Sequence, residues 1–263
     1  MKKSFKKAAV VVAALSLVFA PSANAAVLKA AGATSVSGLI DKCKADYQSA
    51  TGNSFDYPGG GSGAGKTAFT NGTVDFAFSD SVHSPLIPNE IHVPTVLWPV
   101  AILSNLPGSN KPVALSTDTV AGIFAGQILY WDDPKIAADT NRTVTTTTYK
   151  KDANGNPVKD KKGNLLPPTK KTITYRLTLP HQKITVIYRA DSSGTSENFT
   201  NYLNKSAPTI WTKSKNKVFK DSFPGDINSM DNLGRIVGAQ SSNGVSQLAG
   251  KTKYSIKIGR AHV

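Results

Sequence analysis

Three times in this chain an apolar segment runs into glycine and hydroxyl residues and then directly into a helical pattern. Thr34-Ser35 follows Ala26–Ala31, Gly61-Ser62-Gly63 follows Ser54–Tyr57, and Ser193-Gly194-Thr195 follows Ile184–Tyr188. Strands alternating with helices predict an α/β fold. Each helix start offers unpaired N–H donors and a partial positive charge. Glycine lets the backbone come close, and Ser and Thr add hydroxyl donors. Three such ends brought together would form an anion site of neutral donors. Ordinary N-capping explains any one of them alone. Their occurrence together with Asp80 and Arg189 favours a site.

The remaining pattern fills in the frame. A helix over Val36–Ser49 sets Val36, Leu39, Ile40, Cys43 and Tyr47 on one face, which makes Cys43 a buried structural thiol. A short helix after Gly65 is expected to stop near Asn71-Gly72, with a strand over Val74–Phe78 ending at Ser79-Asp80. Val93–Ser104 reads as a buried strand interrupted at Pro99. Ser116 caps a helix carrying Val120, Ile123 and Phe124, and Ser193 opens one with Phe199, Tyr202 and Leu203 on its apolar side. No tandem repeat is expected. Hydrophobic residues at 40% exclude a disordered chain, and a single cysteine excludes a disulfide scaffold or a zinc–cysteine cluster. His83, His92, His181 and His262 show no metal or triad spacing. No catalytic residue, metal or cofactor is expected.

Both ends stand apart. Residues 1–25 carry Lys2, Lys3, Lys6 and Lys7, an apolar run over Val10–Ala20 and the small residues Ala23-Asn24-Ala25. This predicts a cleaved signal peptide and a periplasmic protein, with an uncleaved anchor as the alternative. Residues 258–263, Ile-Gly-Arg-Ala-His-Val, back-translate into a string like a common sequencing-adapter read. They are expected to be a non-native tail on a chain that naturally continues.

Setting aside the four signal lysines takes the net charge from +14 to +10, and ten bases against two acids in residues 141–183 account for most of it. That stretch lacks the interleaved aromatics of a nucleic-acid platform. Strands over Arg142–Tyr149 and Lys171–Leu179, with Asn-Gly and Gly-Asn turns between, predict a solvated basic hairpin. Anion steering or cell-surface contact is its alternative role.

Gly60–Thr67 reads Gly-Gly-Ser-Gly-Ala-Gly-Lys-Thr and satisfies the phosphate-loop pattern of nucleotide hydrolases. The Walker-B aspartate should follow four apolar residues, but polar Ser79 precedes Asp80. An exported protein also meets little ATP. A P-loop-like NTPase, or a phosphatase on a related scaffold, is the alternative function.

Six ordered segments carry a family resemblance: Ala31–Thr34, Gly61–Gly65, Thr73–Asp80, Asn105–Gly108, Ala121–Gly126 with Trp131–Pro134, and Arg189–Thr195. Together they make the chain similar, over most of residues 27–257, to the phosphate-binding protein of bacterial phosphate ABC transporters (PstS type). The resemblance implies a two-lobed periplasmic binding protein, type II-like, closing on inorganic phosphate by a hinge. Residues 26–100 would form lobe I, and 101–257 lobe II with the 141–183 extension. Membrane permease and ATPase subunits would be partners, nucleic acid would not, and a monomer is expected. Carried over by position, the phosphate contacts would be Thr34, Ser35, Ser62, Asp80, Arg189, Ser193, Gly194 and Thr195, with Asp191 supporting Arg189. Ser35 stands where the family often has an aromatic residue, the extension is longer than expected, and the C-terminal part of lobe I is expected to be missing. In this reading Asp80 selects protonated phosphate over sulfate, and Arg189 supplies the only full positive charge. Each aspartate also has a purely local reading, Asp80 as a cap or turn residue and Asp191 as a turn residue.

Overall fold

The computed structural model describes residues 25–109 and 111–260. The expected signal peptide, apart from its last residue, lies outside the described residues, as do the last three of the chain.

In chain order the elements are β1 (Val27–Gly32), α1 (Ser37–Thr51), β2 (Ser54–Asp56), α2 (Ser62–Thr70), β3 (Phe76–Phe78), β4 (Val100–Asn105), α3 (Thr117–Phe124), α4 (Pro134–Thr140), β5 (Thr143–Thr148), β6 (Thr169–Thr174), β7 (Thr185–Arg189), α5 (Gly194–Ser206), α6 (Phe219–Ser222), β8 (Ile236–Ala239), α7 (Ser241–Lys251) and β9 (Ser255–Arg260). They make two lobes, each built on its own sheet. The first sheet has the order β2-β1-β3, and both pairings are parallel. The second has the order β4-β9-β7-β8, with β7 parallel to both neighbours and β4 antiparallel at the edge. Residues 79–99 carry the chain between them.

The first lobe has a small core. Ala30, Val36, Ile40 and Tyr57 are buried, with Phe55, Phe76 and Phe78 packed against them in edge-to-face pairs. The second lobe holds the larger one, in which Ile123, Trp131, Ile136, Ile184, Val186, Leu203, Trp211 and Ile256 are fully buried. Ser116, Asp133 and Ser193 each accept a backbone N–H from the first turn of the helix they precede. Gly52 ends α1 in the left-handed region, where a side chain would be strained.

Several sequence expectations fail for identifiable reasons. Cys43 is exposed, as is Leu39, because α1 buries only Ile40. A three-stranded sheet gives a helix one narrow contact: Val36 and Ile40 are buried and Tyr47 packs on Phe55, while Leu39 and Cys43 fall outside it. Tyr202 is likewise exposed, its hydroxyl 2.7 Å from that of Thr117. Residues 93–99 form no strand, and Val93 and Leu97 are exposed. Pro94 and Pro99 both lack the N–H a ladder needs. The hairpin pairs Thr143–Thr148 with Thr169–Thr174, earlier than expected for its second strand. Threonine hydroxyls face each other at 3.2 Å (Thr143–Thr174) and 3.0 Å (Thr145–Thr172), and these cross-strand pairs help fix the register.

A short repeat is also present where none was expected. Asp152 accepts from the N–H groups of Asn154 and Asn156, and Asp160, eight residues on, does the same from Lys162 and Asn164. Each turn is completed by a glycine in the left-handed region, Gly155 and Gly163. β9 continues through Ile258 and Gly259 to Arg260, so the first three residues of the expected tail pair with β4.

Candidate functional site

The first sheet delivers three loops to one place. Gly32 has φ +132°, and a Cβ there would come within 2.0 Å of the Phe78 carbonyl oxygen. Only glycine permits that approach. Through it, the Gly32 N–H donates to Gly59, the Ala33 N–H to Phe78, and the Gly61 N–H to Gly32. The ends of β1 and β3 and the glycine loop are thereby knotted together. Tyr57 fixes the first loop by donating to the Ala33 carbonyl at 2.7 Å. Burial, and then the Asp80 charge, push its phenol up and keep it a donor.

The second lobe brings α5 and α7 against these loops. Arg189, at the end of β7, is 6% exposed. Its Nε donates to Asp191 Oδ1 at 2.6 Å, a second guanidinium nitrogen donates to Asp191 Oδ2, and a third donates to Ser242 Oγ at 3.2 Å. Burial raises the Asp191 carboxyl, but hydrogen bonding and charge from Arg189, with the Ser241 N–H, outweigh it and hold the group below the usual carboxylate range. The two residues form a forked pair, as the sequence reading expects.

Asp80 sits at the seam between the lobes. Ser35 donates to its Oδ1, Thr195 donates to its Oδ2 at 2.6 Å, and Asn198 donates to its backbone carbonyl at 2.7 Å. The Asp80 N–H donates to Ser62 Oγ at 3.2 Å. Gly194 presses on the same spot, since a Cβ there would lie 2.8 Å from Ser62 Oγ and 2.9 Å from Asp80 Cβ. Gly63 donates to the Ser192 carbonyl at 3.3 Å, and a Cβ on it would strike Ser192 Oγ at 2.0 Å. Thr34 Oγ1 lies 2.9 Å from Ser242 Oγ across the seam. Ser81 donates to Glu197 at 2.8 Å, and Lys66 stands 3.9 Å from that carboxylate. The lobes are therefore clasped face to face.

All nine sequence-predicted residues fall in this neighbourhood. Thr34, Arg189 and Thr195 line a cleft of about 800 Å³; Ser35, Ser62, Asp80, Asp191, Ser193 and Gly194 are not part of its lining, and all of these but Ser193 make contacts in the clasp. Ser193 directs its hydroxyl to the Ser196 N–H at 3.3 Å as a helix cap. The helices α1, α2 and α7 lack a side-chain hydrogen bond from the residue that precedes them; in α7 the Ser241, Ser242 and Gly244 N–H groups go instead to Asp191, the Thr34 hydroxyl and the Ser241 hydroxyl, and in α2 the Gly63 N–H goes to the Ser192 carbonyl.

Three contributors escaped the sequence reading. Ser242 touches both Arg189 and Thr34, and its loop, Gln240–Gly244, repeats the strand–hydroxyl–helix design after β8. Lys257 lines the cleft, so Arg189 is not the only cation there; its amino group donates to Ser246, and burial lowers its pKa. The Ser192 hydroxyl is buried without a hydrogen-bond partner. The phosphate-loop match also resolves. α2 begins at Ser62, four residues before Lys66, and Lys66 donates to Ser81 and Val82 rather than toward the helix start. The loop that would wrap a nucleotide's phosphates is helix instead.

At this seam the Arg189 guanidinium is paired to Asp191, and hydroxyl groups of both lobes converge on the Asp80 carboxylate, with Glu197 and Lys66 beside them.

Residues 20–258 match the PBP superfamily domain, and the chain belongs to that superfamily. It is 32% identical over 241 residues to the phosphate-binding protein PstS2 of Mycobacterium bovis, covering 87% of this chain and 52% of that one. It is 29% identical to the phosphate-binding protein PstS of Methanocaldococcus jannaschii, covering 88% and 52%. Among solved structures it resembles a high affinity periplasmic phosphate-binding protein (PfluDING) bound with phosphate, at 27% identity and TM-score 0.55, covering 88% of this chain and 55% of that one. The chain spans about half the length of the curated relatives it matches.

Proposed function

We propose that this member of the PBP superfamily binds inorganic phosphate in the periplasm, after removal of a signal peptide, and delivers it to the permease and ATPase subunits of an ABC importer. It acts as a monomer, without cofactor and without catalysis. The observation that carries the reading is the single seam where Arg189, Asp80 and the loop hydroxyls of both lobes meet. The relatives' names point the same way.

Residues 26–78 and 100–260 act as two lobes hinged through residues 79–99, so the boundary falls before β4 rather than after residue 100. Arg189 supplies a planar fork suited to an oxyanion, and Asp191 fixes its orientation and tempers its charge. Ser35, Ser62, Ser193, Thr34, Thr195 and the Gly194 N–H supply neutral donors. Ser35 and Thr195 already point hydroxyls at Asp80, and each rotates to give its proton to an anion instead. Asp80 is then left as a pure acceptor. Phosphate near pH 7 still holds one or two protons and donates one to it. Sulfate holds none and meets a like charge with water excluded. One uncompensated contact of that kind costs several kcal/mol, or about 10³-fold in affinity.

Isothermal titration of the untagged mature chain at pH 7 tests this. One phosphate per chain with rejection of millimolar sulfate is expected. Equal affinity for both anions, or no phosphate heat, overturns it. Absence of ATP and phosphomonoester turnover by the same preparation is the expected companion result.

A further inference from the structure

The chain between the lobes folds back on itself. Asn89 adopts φ +66°, and the Glu90 N–H donates to the Ile87 carbonyl at 3.2 Å, closing a tight turn. That turn sends Glu90 back toward His83 and brings His92 to the same side. His83 Nδ1 lies 2.5 Å from Glu90 Oε1, and His92 Nε2 lies 3.3 Å from the same oxygen. The ligand atoms of all three side chains lie within 4.8 Å of one another. The histidines alone show no metal spacing in the sequence; the Glu90 carboxylate completes the set.

We propose that His83, Glu90 and His92 form a binding site for a borderline divalent cation, Zn²⁺ above all, that clasps the segment joining the two lobes. Two imidazoles and one carboxylate are the donor set that such ions prefer, whereas Mg²⁺ and Ca²⁺ require oxygen ligands. Three protein ligands leave the fourth tetrahedral position to water. Ligand atoms in a tetrahedral zinc site stand about 3.4 Å apart, given metal–ligand bonds of about 2.1 Å. His92 and Glu90 already have that spacing, and His83, whose side chain is 13% exposed, need retreat from Glu90 by only about 0.9 Å through a side-chain rotation. The second carboxylate oxygen, Oε2, accepts from the Ile87 N–H at 3.4 Å, which holds the ligand's orientation from behind. The Glu90 side chain is 8% exposed and that of His92 36%, so the ion has a supported base and an open entry.

The position gives such an ion a consequence. His83 is three residues after Asp80, and the intervening Ser81 and Val82 are held by the Lys66 amino group at 2.8 and 2.7 Å. Closing a clasp over residues 83–92 stiffens the stretch from Asp80 toward β4 without touching the anion's own contacts.

Calorimetric titration of the untagged chain with ZnCl₂ tests the proposal. One Zn²⁺ per chain is expected, with no heat from MgCl₂, a thermal midpoint that rises with saturation and returns with EDTA, and visible-region bands on Co²⁺ loading that Zn²⁺ displaces. His92→Ala and His83→Ala should each weaken Zn²⁺ at least tenfold. His181→Ala, which removes a histidine paired to Asp132 elsewhere, should leave it unchanged. His92 is exposed, so its alanine variant keeps the fold, which far-UV circular dichroism checks. Undiminished Zn²⁺ affinity in His92→Ala, loss in His181→Ala alone, or no Zn²⁺ binding at micromolar concentration would each overturn it.

Discussion

Replacing Asp80 by Asn changes the seam's charge and almost nothing of its shape. In the native chain both carboxylate oxygens accept hydroxyl protons, one from Ser35 and one from Thr195. An amide oxygen still accepts from one of these, and the amide NH₂ donates to the other, so the lobes stay clasped. What disappears is the charged acceptor for a phosphate proton. A hydrogen bond to a charged group contributes about 1.5–3 kcal/mol, which predicts phosphate binding weaker by about 10- to 150-fold. Sulfate moves the other way. Two unit charges about 4 Å apart repel by about 4 kcal/mol at an effective dielectric of 20. Asp80 is half-buried, and halving that figure for solvent leaves about 2 kcal/mol, or a sulfate gain of roughly 30-fold. The phosphate-to-sulfate ratio should therefore fall on the order of 10³-fold. Competitive calorimetry with both anions at pH 7 reads the ratio directly. A variant that loses the same factor for both anions, or keeps the native ratio, refutes selection by Asp80.

Four further outcomes follow from the same geometry. Arg189→Ala should weaken phosphate, arsenate and sulfate together and lower the thermal midpoint, because it strands the half-buried Asp191 carboxylate; adding Asp191→Asn should restore the midpoint but not the binding. Asp191 carries a lowered folded pKa, so its pairing stabilises the protein above its unfolded value near pH 4 and that stability is lost as pH falls through the lower folded value. Thermal melts from pH 6 to 2.5 should therefore show a shallower acid decline in Asp191→Asn, and an unchanged slope contradicts this. Gly63→Ala places a methyl carbon 2.0 Å from Ser192 Oγ, so it should prop the lobes apart and weaken phosphate at least tenfold, as fluorescence titration would show. Deleting residues 145–175 should leave phosphate affinity within about twofold by calorimetry, since the hairpin lies outside the seam and its charge acts only through a screened field.

The parts of the site that sequence could announce were those with a local chemical signature. Glycine next to hydroxyl at a strand–helix junction is rare enough to notice, and Arg189 and Asp191 are close enough in sequence for their pairing to be anticipated. Ser242 was missed although Gly238-Ala239-Gln240-Ser241 repeats the spacing of Gly32-Ala33-Thr34-Ser35, because no charged residue stands beside it to mark it out. Lys257 was missed because its role depends on which side of β9 faces the cleft, a matter of register that the segment alone does not fix. The fate of Cys43 and Tyr202 depended on how much surface lies opposite each helix. An apolar stripe tells which face would be buried, not whether anything stands there to bury it. The two turns after Asp152 and Asp160 were legible from their Asn and Gly residues, but their eight-residue repetition was not, because a repeat of polar residues resembles any loop. His83, Glu90 and His92 became neighbours only through the Ile87–Glu90 turn.

Crystals of the chain grown with phosphate test the central claim most directly. The account predicts one tetrahedral ion at the seam, within hydrogen-bonding distance of the Arg189 guanidinium, the Thr195 hydroxyl and the Asp80 carboxylate. An ion seated instead on the basic hairpin or beside Lys66, with the seam closed on itself, would contradict it.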